Sequence, residues 1–198
     1  MPERRSRMNV PNLITLARLA AIPAMVVVFY LPFGWSDLCA AAVFLGAGLT
    51  DMLDGYLARR LGQTSRFGAF LDPVVDKLMV AAALVMLVQV HATAWLVVPA
   101  IVIVSREITV SALREWMAEL GQRARVAVSQ VGKVKTVAQI AAITGLLAQK
   151  PEIIEGELMF TPFIAVSYAL LYLATALTLW SMVAYLRVAW DGLWSDTE

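Results

Sequence analysis

Asp51-Met-Leu-Asp54-Gly55-Tyr-Leu-Ala58-Arg59-Arg60-Leu-Gly62-Gln63-Thr64-Ser65-Arg66-Phe-Gly68-Ala-Phe-Leu-Asp72-Pro73-Val-Val-Asp76 joins two apolar runs, and its reading decides the fold. Four aspartates, Asp51, Asp54, Asp72 and Asp76, interrupt what would otherwise be two apolar helices linked by a short Gly62–Ser65 connection. At about 100° per residue, Asp51, Asp54, Gly55 and Ala58 share one helical stripe. Asp72 and Asp76 stand four residues apart, again on one face. So short a connection makes the helices antiparallel neighbours, and the two carboxylate pairs can then face each other. A charge at the centre of a bilayer helix costs about 2.5–3.5 kcal/mol, so four unpaired ones would oppose insertion by on the order of 10 kcal/mol. They are expected near the helix ends, in a wet or metal-filled cavity.

The rest of the chain makes the bilayer the right reference. Of 198 residues, 60% are hydrophobic and 16% charged, against about 25% charged in an average soluble domain. Mean hydropathy is +0.73. This excludes a disordered chain, a collagen-like chain and an ordinary soluble globule, and leaves an integral membrane protein. One cysteine, Cys39, allows no intrachain disulfide. Arg4, Arg5 and Arg7 followed by the apolar run Leu19–Leu31 superficially suit a signal peptide. No small-residue cleavage site follows in Tyr30-Leu31-Pro32-Phe33-Gly34-Trp35, so a retained first helix is expected.

The expected fold is all-α: a single membrane domain over residues 1–198, with six transmembrane helices and a polar, metal-binding cavity open to the cytoplasmic side. The helices are expected at Asn12–Tyr30, Asp37–Arg60, Phe67–Val90, Ala94–Leu120, Lys133–Ala148 (starting as early as Val126) and Thr161–Ala189, with short tails over 1–9 and 190–198. Every Lys and Arg except Lys150 then falls on one side, which the positive-inside rule makes cytoplasmic, together with both termini. Trp35, Trp95, Trp180, Trp190 and Trp194 read as interfacial anchors. His91, in an outward turn without sequence partners, reads as a solvated loop histidine.

Converging hard oxygen ligands, with no Cys nearby and one distant His, suit Mg²⁺ or Mn²⁺ better than Zn²⁺. Two such ions about 3.5–4 Å apart form a clamp for in-line displacement at phosphorus. Gly55, Ala58 and Gly68 leave room on the carboxylate face for a bulky group, although small residues also serve helix packing. Intramembrane acids also mark proton and cation pathways, so a small transporter is an alternative reading of the aspartates. Arg106 lies with Glu107 inside the fourth apolar run, Arg114 two turns on, Lys133, Lys135 and Thr136 open the fifth, and Arg18 belongs to the first. Such a basic group suits a small anionic substrate, because phosphate prefers Arg forks and helix N-termini. Arg106 and Arg114 can also pair structurally with Glu107 and Glu115. Arg123 and Arg125 read as topology signal and attraction to anionic lipid.

The pattern D-x2-D-G-x2-A-R-x8-G-x3-D-x3-D over Asp51–Asp76 resembles the signature of the CDP-alcohol phosphotransferase family, with every fixed position met. Asn12-Leu-Ile-Thr15-Leu-Ala-Arg18, Ser105-Arg106-Glu107-Ile and Gly132-Lys133-Val-Lys135-Thr136 resemble the bacterial branch that makes phosphatidylglycerophosphate, and the resemblance runs from about Asn9 to Tyr185. It implies transfer of the phosphatidyl group from CDP-diacylglycerol to sn-glycerol 3-phosphate, with release of CMP. Asp51, Asp54 and Asp72 would hold two divalent cations, Mg²⁺ or Mn²⁺, and Asp76 would touch a metal while acting as catalytic base. Gly55, Ala58, Arg59, Ser65 and Gly68, with Asn12 and Thr15, would seat CDP-diacylglycerol. Arg18, Arg106, Arg114, Lys133, Lys135 and Thr136 would bind the glycerol phosphate. Other acceptors of the same donor chemistry are inositol phosphate, serine and phosphatidylglycerol, and the basic group argues against serine. The resemblance further implies a homodimer in the bacterial inner membrane; nothing supports a nucleic-acid partner.

Overall fold

A computed structural model describes residues 10–61, 66–119, 130–154, 157–159 and 161–195, with side chains outside the description at 10–11, 52–61, 66–67, 69, 130–131, 133, 152–154, 157–159 and 188–195. The described chain forms six helices: α1 (Val10–Phe29), α2 (Ser36–Leu61), α3 (Arg66–His91), α4 (Ala94–Glu119), α5 (Gln130–Ala148) and α6 (Pro162–Ser195). Between α5 and α6 lies a two-stranded antiparallel hairpin, β1 (Glu152–Ile154) and β2 (Glu157–Met159), paired with Ile153 opposite Leu158. Hydropathy contains no signal for so short a hairpin. The six expected helices are otherwise recovered, most ends within three residues. The exception is α6, which continues through Ser195 where a tail over 190–198 was expected. Polarity rises there, but no proline breaks the backbone, so the helix outruns its apolar stretch.

Among the described residues, four stretches are long and apolar enough to cross a membrane: Asn12–Phe29, Phe70–His91, Ala94–Glu119 and Pro162–Arg187. This is a multi-pass membrane protein. Its outer surface carries large apolar side chains such as Phe70, Val85, Ile108 and Trp180, each more than 60% exposed. In water such a surface would be a liability; in lipid it is ordinary. α2 carries Asp51, Asp54, Arg59 and Arg60 within its length, and the apolar part of α5, Val134–Ala148, is shorter.

The chain divides into two compact units, Met1–Leu87 with Thr144–Lys150, and Val88–Ile143 with Pro151–Glu198. In the first, α1 packs along α2, with Met25, Phe29, Ala40 and Phe44 buried, and Val75, Met79 and Leu84 of α3 are buried in the same unit. Lys150 joins the end of α1 to the start of α2: Nζ meets Asp37 Oδ1 at 2.6 Å and sits 4.8 Å from the centre of the Phe29 ring. In the second, α4 packs on α6 around Leu96, Ile103, Val110, Ile164, Leu171 and Ala174.

The α3–α4 turn of the second unit corrects the reading of His91. It is the last residue of α3, 1% exposed, and its Nδ1 lies 2.8 Å from the Tyr168 hydroxyl. A buried tyrosine hydroxyl requires a polar partner, and the histidine supplies it from the helix end. Ala92 follows at φ 46°, and its N–H donates to the Val88 carbonyl at 3.0 Å. That is a left-handed helix cap built with alanine where glycine is usual.

Candidate functional site

Three helices of the first unit change character along their length. On α1, Asn12, Thr15 and Arg18 are buried, and Met25 and Phe29 continue the buried side further along. On α2 the buried positions Ala40, Phe44 and Ala47 lead, at helical spacing, to Asp51. On α3 the buried series Gly68, Val75, Met79 and Ala83 has Asp72 in step with it. The start of α1, the end of α2 and the start of α3 therefore bring polar groups together, while the apolar remainder of each face packs the core.

Those groups meet one another. Arg18 Nη1 donates to Asp51 Oδ1 at 2.6 Å, and Nη2 lies 3.5 Å from Asp76 Oδ1. Thr15 Oγ1 donates to Asp72 Oδ1 in a short hydrogen bond. Arg18 is 4% exposed whereas Asp51 and Asp76 are 40% and 54% exposed, so the cation is the buried member and the carboxylates line an accessible rim. Arg18 Nε is buried without a partner. The sequence grouped Arg18 with the phosphate-binding residues; the fold sets its guanidinium on the carboxylates.

Among the described residues no three Asp, Glu, His or Cys side chains form a group able to hold a metal ion. Asp54, on the same stripe of α2 as Asp51, has its side chain outside the described residues. The donors present still suit a hard divalent cation: carboxylate and hydroxyl oxygens only, already gathered around a positive group. Of the other expected donor-binding residues, Gly68 is buried at the start of α3 and Asn12 and Thr15 are buried on α1. Gly55, Ala58 and Arg59 belong to α2 with side chains outside the described residues, and Ser65 lies wholly outside them.

Beside this group, α1 and α3 frame an apolar groove of about 550 Å³, lined by Leu19, Ile22, Pro23 and Val26 on one side and by Leu78, Ala81, Val85 and Met86 on the other. It begins one residue past Arg18 and two past Asp76 in the two helices.

The second unit holds a separate charged group. Glu107 Oε1 accepts from Lys135 Nζ at 2.6 Å and from Arg106 Nη1 at 3.0 Å. Arg106 Nη2 donates to Ser181 Oγ at 2.9 Å, while Arg106 Nε is buried without a partner. Arg106 and Lys135 are 8% and 6% exposed. Among the described residues two buried cations meet one carboxylate here, and an orphaned guanidinium N–H is a donor that an anionic ligand can use. Arg114 is exposed and donates through Nη2 to the Tyr185 hydroxyl at 2.8 Å. The Thr136 hydroxyl turns back onto the Gly132 carbonyl at 2.9 Å, and the Lys133 side chain lies outside the described residues. Arg106, Lys135, Glu107, Ser181 and Tyr185 thus come from three helices. Ser181 and Tyr185 escaped the sequence reading, because a serine and a tyrosine in an apolar helix carry no signal until their neighbours are known.

An aspartate-rimmed polar end on apolar helices, with a basic group built by others, is the equipment of an enzyme acting on phosphorylated substrates at a membrane. The chain belongs to the CDP-alcohol phosphatidyltransferase family, whose model matches residues 8–180. Among its relatives, a Pseudomonas fluorescens protein named CDP-diacylglycerol–glycerol-3-phosphate 3-phosphatidyltransferase is 54% identical over 96% of this chain and 94% of its own length. Proteins of the same name from Pectobacterium atrosepticum and Yersinia pestis are 51% and 49% identical, over 91% and 94% of this chain and 94% and 98% of theirs.

Proposed function

We propose that this protein transfers the phosphatidyl group of CDP-diacylglycerol to sn-glycerol 3-phosphate, giving phosphatidylglycerophosphate and CMP. The observation that carries the reading is the complete Asp51–Asp76 motif with Asp51, Asp72 and Asp76 gathered at the polar end of α1, in a chain about half identical to relatives bearing that activity in their name. The acceptor hydroxyl oxygen attacks the β-phosphorus of the donor, the bond to the CMP oxygen breaks, and the hydroxyl proton passes to a carboxylate. Asp76, the most exposed of the three described aspartates, is proposed as that base. Asp51, Asp54, Asp72 and Asp76 would hold two divalent cations, Mg²⁺ or Mn²⁺. When bound, these would neutralise the diphosphate and stabilise the departing CMP. Thr15 orients Asp72 and Arg18 holds Asp51 and Asp76, so both act on the carboxylates through direct contacts.

Gly55, Ala58, Arg59, Ser65, Gly68 and Asn12 are proposed to seat the cytidine and its phosphates. The apolar groove between α1 and α3 suits a donor whose acyl chains remain in lipid. Arg106, Arg114, Lys133, Lys135 and Thr136 are proposed to bind the acceptor phosphate, because charge-assisted bonds from cations such as the buried Arg106 and Lys135 favour a dianion over a neutral alcohol. We further infer that all six helices span the membrane. α2 has 26 residues and α5 has 19, lengths of about 39 and 28 Å at 1.5 Å per residue against a hydrocarbon core of about 30 Å. The one-sided distribution of Lys and Arg then sets both termini in the cytoplasm and the active site at the inner leaflet of the bacterial cytoplasmic membrane. The family resemblance adds a homodimer.

The test is CMP release from CDP-diacylglycerol by purified protein with Mg²⁺ or Mn²⁺, run against glycerol 3-phosphate, inositol phosphate, serine and phosphatidylglycerol. Glycerol 3-phosphate is expected to support turnover. CMP release with another acceptor alone would reassign the substrate, and none with any acceptor would end the enzyme reading.

A further inference from the structure

The basic group of the second unit contains a side chain to which no role has been given. The Tyr185 ring lies 5.7 Å from the Arg106 guanidinium carbon and 5.2 Å from that of Arg114, and its hydroxyl accepts from Arg114 Nη2 at 2.8 Å. One aromatic ring therefore serves two arginines that are two turns apart on α4. Ser181, one turn before Tyr185 on α6, accepts from Arg106 Nη2 and donates onward to the Thr178 carbonyl at 2.9 Å. Two guanidiniums repel each other, and the negative face of an aromatic ring offsets that repulsion while fixing their direction. Glu107 cannot serve in its place, because its contacts are with Arg106 and Lys135.

We propose that Tyr185 is a positioning residue for the acceptor site. Its ring and hydroxyl hold Arg106 and Arg114 within reach of a single small dianion, leaving the buried, unpartnered Nε of Arg106 as a donor to that ligand. Without Tyr185 the exposed Arg114 returns to solvent, and Arg106 keeps only Ser181 and Glu107. The effect falls on phosphate capture and not on the carboxylates that handle the donor, and it rests on the reading of Arg106 and Arg114 as acceptor ligands.

The experiment measures steady-state KM for glycerol 3-phosphate and for CDP-diacylglycerol in the purified full-length protein, with Tyr185→Phe, Tyr185→Leu and Arg106→Ala in parallel. Tyr185→Phe keeps the ring and loses the bond to Arg114, and its acceptor KM is expected to rise about 2- to 4-fold. Tyr185→Leu loses ring and hydroxyl, and a rise of about 10-fold or more is expected. In both, kcat and the donor KM are expected to stay within about 2-fold, a split that a general loss of folding would not produce. An unchanged acceptor KM in Tyr185→Leu, or equal rises in both KM values, overturns the inference. Should the leucine variant fail to fold, the phenylalanine variant decides by the same criterion. If Arg106→Ala leaves the acceptor KM unchanged, the acceptor-site reading itself fails. If Arg106→Ala raises it and Tyr185→Leu does not, only the role of Tyr185 is lost.

Discussion

Arg18 is more deeply buried than either carboxylate it touches, and that asymmetry governs what substitutions at the rim should do. Removing a half-exposed carboxylate costs little stability, since water screens the pair; removing the buried guanidinium takes away the cation that Asp51 and Asp76 share. Asp76→Asn is accordingly expected to fold normally and still bind CDP-diacylglycerol. Its CMP release should fall by about 10²- to 10⁴-fold, the usual contribution of a general base. Turnover near the wild-type rate, with binding intact, would remove Asp76 from that role. Arg106→Ala is expected to raise the acceptor KM by about 10- to 100-fold, the equivalent of one charge-assisted bond of about 1.5–3 kcal/mol. An effect confined to the donor KM would contradict the assignment.

At the scale of elements, the α3–α4 turn is the place where local backbone and long-range contact meet. Two residues, Ala92 and Thr93, reverse the chain, and the Thr93 carbonyl accepts from the N–H groups of Leu96 and Val97, each at 3.1 Å. α6 braces the turn from the side: Tyr168 meets His91, and the Tyr172 hydroxyl donates to the Trp95 carbonyl at 3.1 Å. His91→Ala would remove the Nδ1 partner of the Tyr168 hydroxyl and leave a cavity, so a destabilisation of about 1–3 kcal/mol is expected. Thermal unfolding in detergent would reveal it as a lower Tm, with activity of the folded fraction unchanged. A left-handed alanine costs about 1–2 kcal/mol, and glycine returns about 0.5–1 kcal/mol of that through its greater unfolded-state entropy. Ala92→Gly should therefore leave Tm unchanged or raise it slightly; a clear drop would mean that the alanine methyl packs usefully.

For the whole molecule, the consequence of so many apolar side chains pointing outward is that lipid, not water, sets the cost of every charge. The four aspartates lie in the polar second half of α2 and the first half of α3, and the remaining length of each helix is apolar. Chelation of divalent cations is expected to stop CMP release, and added Mg²⁺ or Mn²⁺ to restore it. Turnover that persists after exhaustive chelation would remove metal from the proposed mechanism. At 34 residues α6 is about 51 Å long, longer than the hydrocarbon core by roughly 20 Å. Its final turns are expected outside the bilayer, and a membrane-impermeant label at Ser195→Cys in a Cys39→Ala background should react from the cytoplasmic face only.

The helix number, most of the boundaries and the reaction class were legible in the sequence. Apolar periodicity and charge placement are properties of consecutive residues, and the family motif is a spacing. The partners of the charges were not legible, because they are set by which helix faces meet. Nothing in Arg18 alone says that it lies on Asp51 and Asp76, and its neighbours in sequence suggested phosphate instead. His91 looked solvated until Tyr168, distant in sequence, supplied a buried hydroxyl for it. Tyr185 and Ser181 looked like ordinary residues of an apolar helix until α6 packed on α4 and turned them to Arg106. A hydrophobic pattern tells which face of a helix is buried; the identity of the side chain met there belongs to another part of the chain, and only tertiary packing decides it.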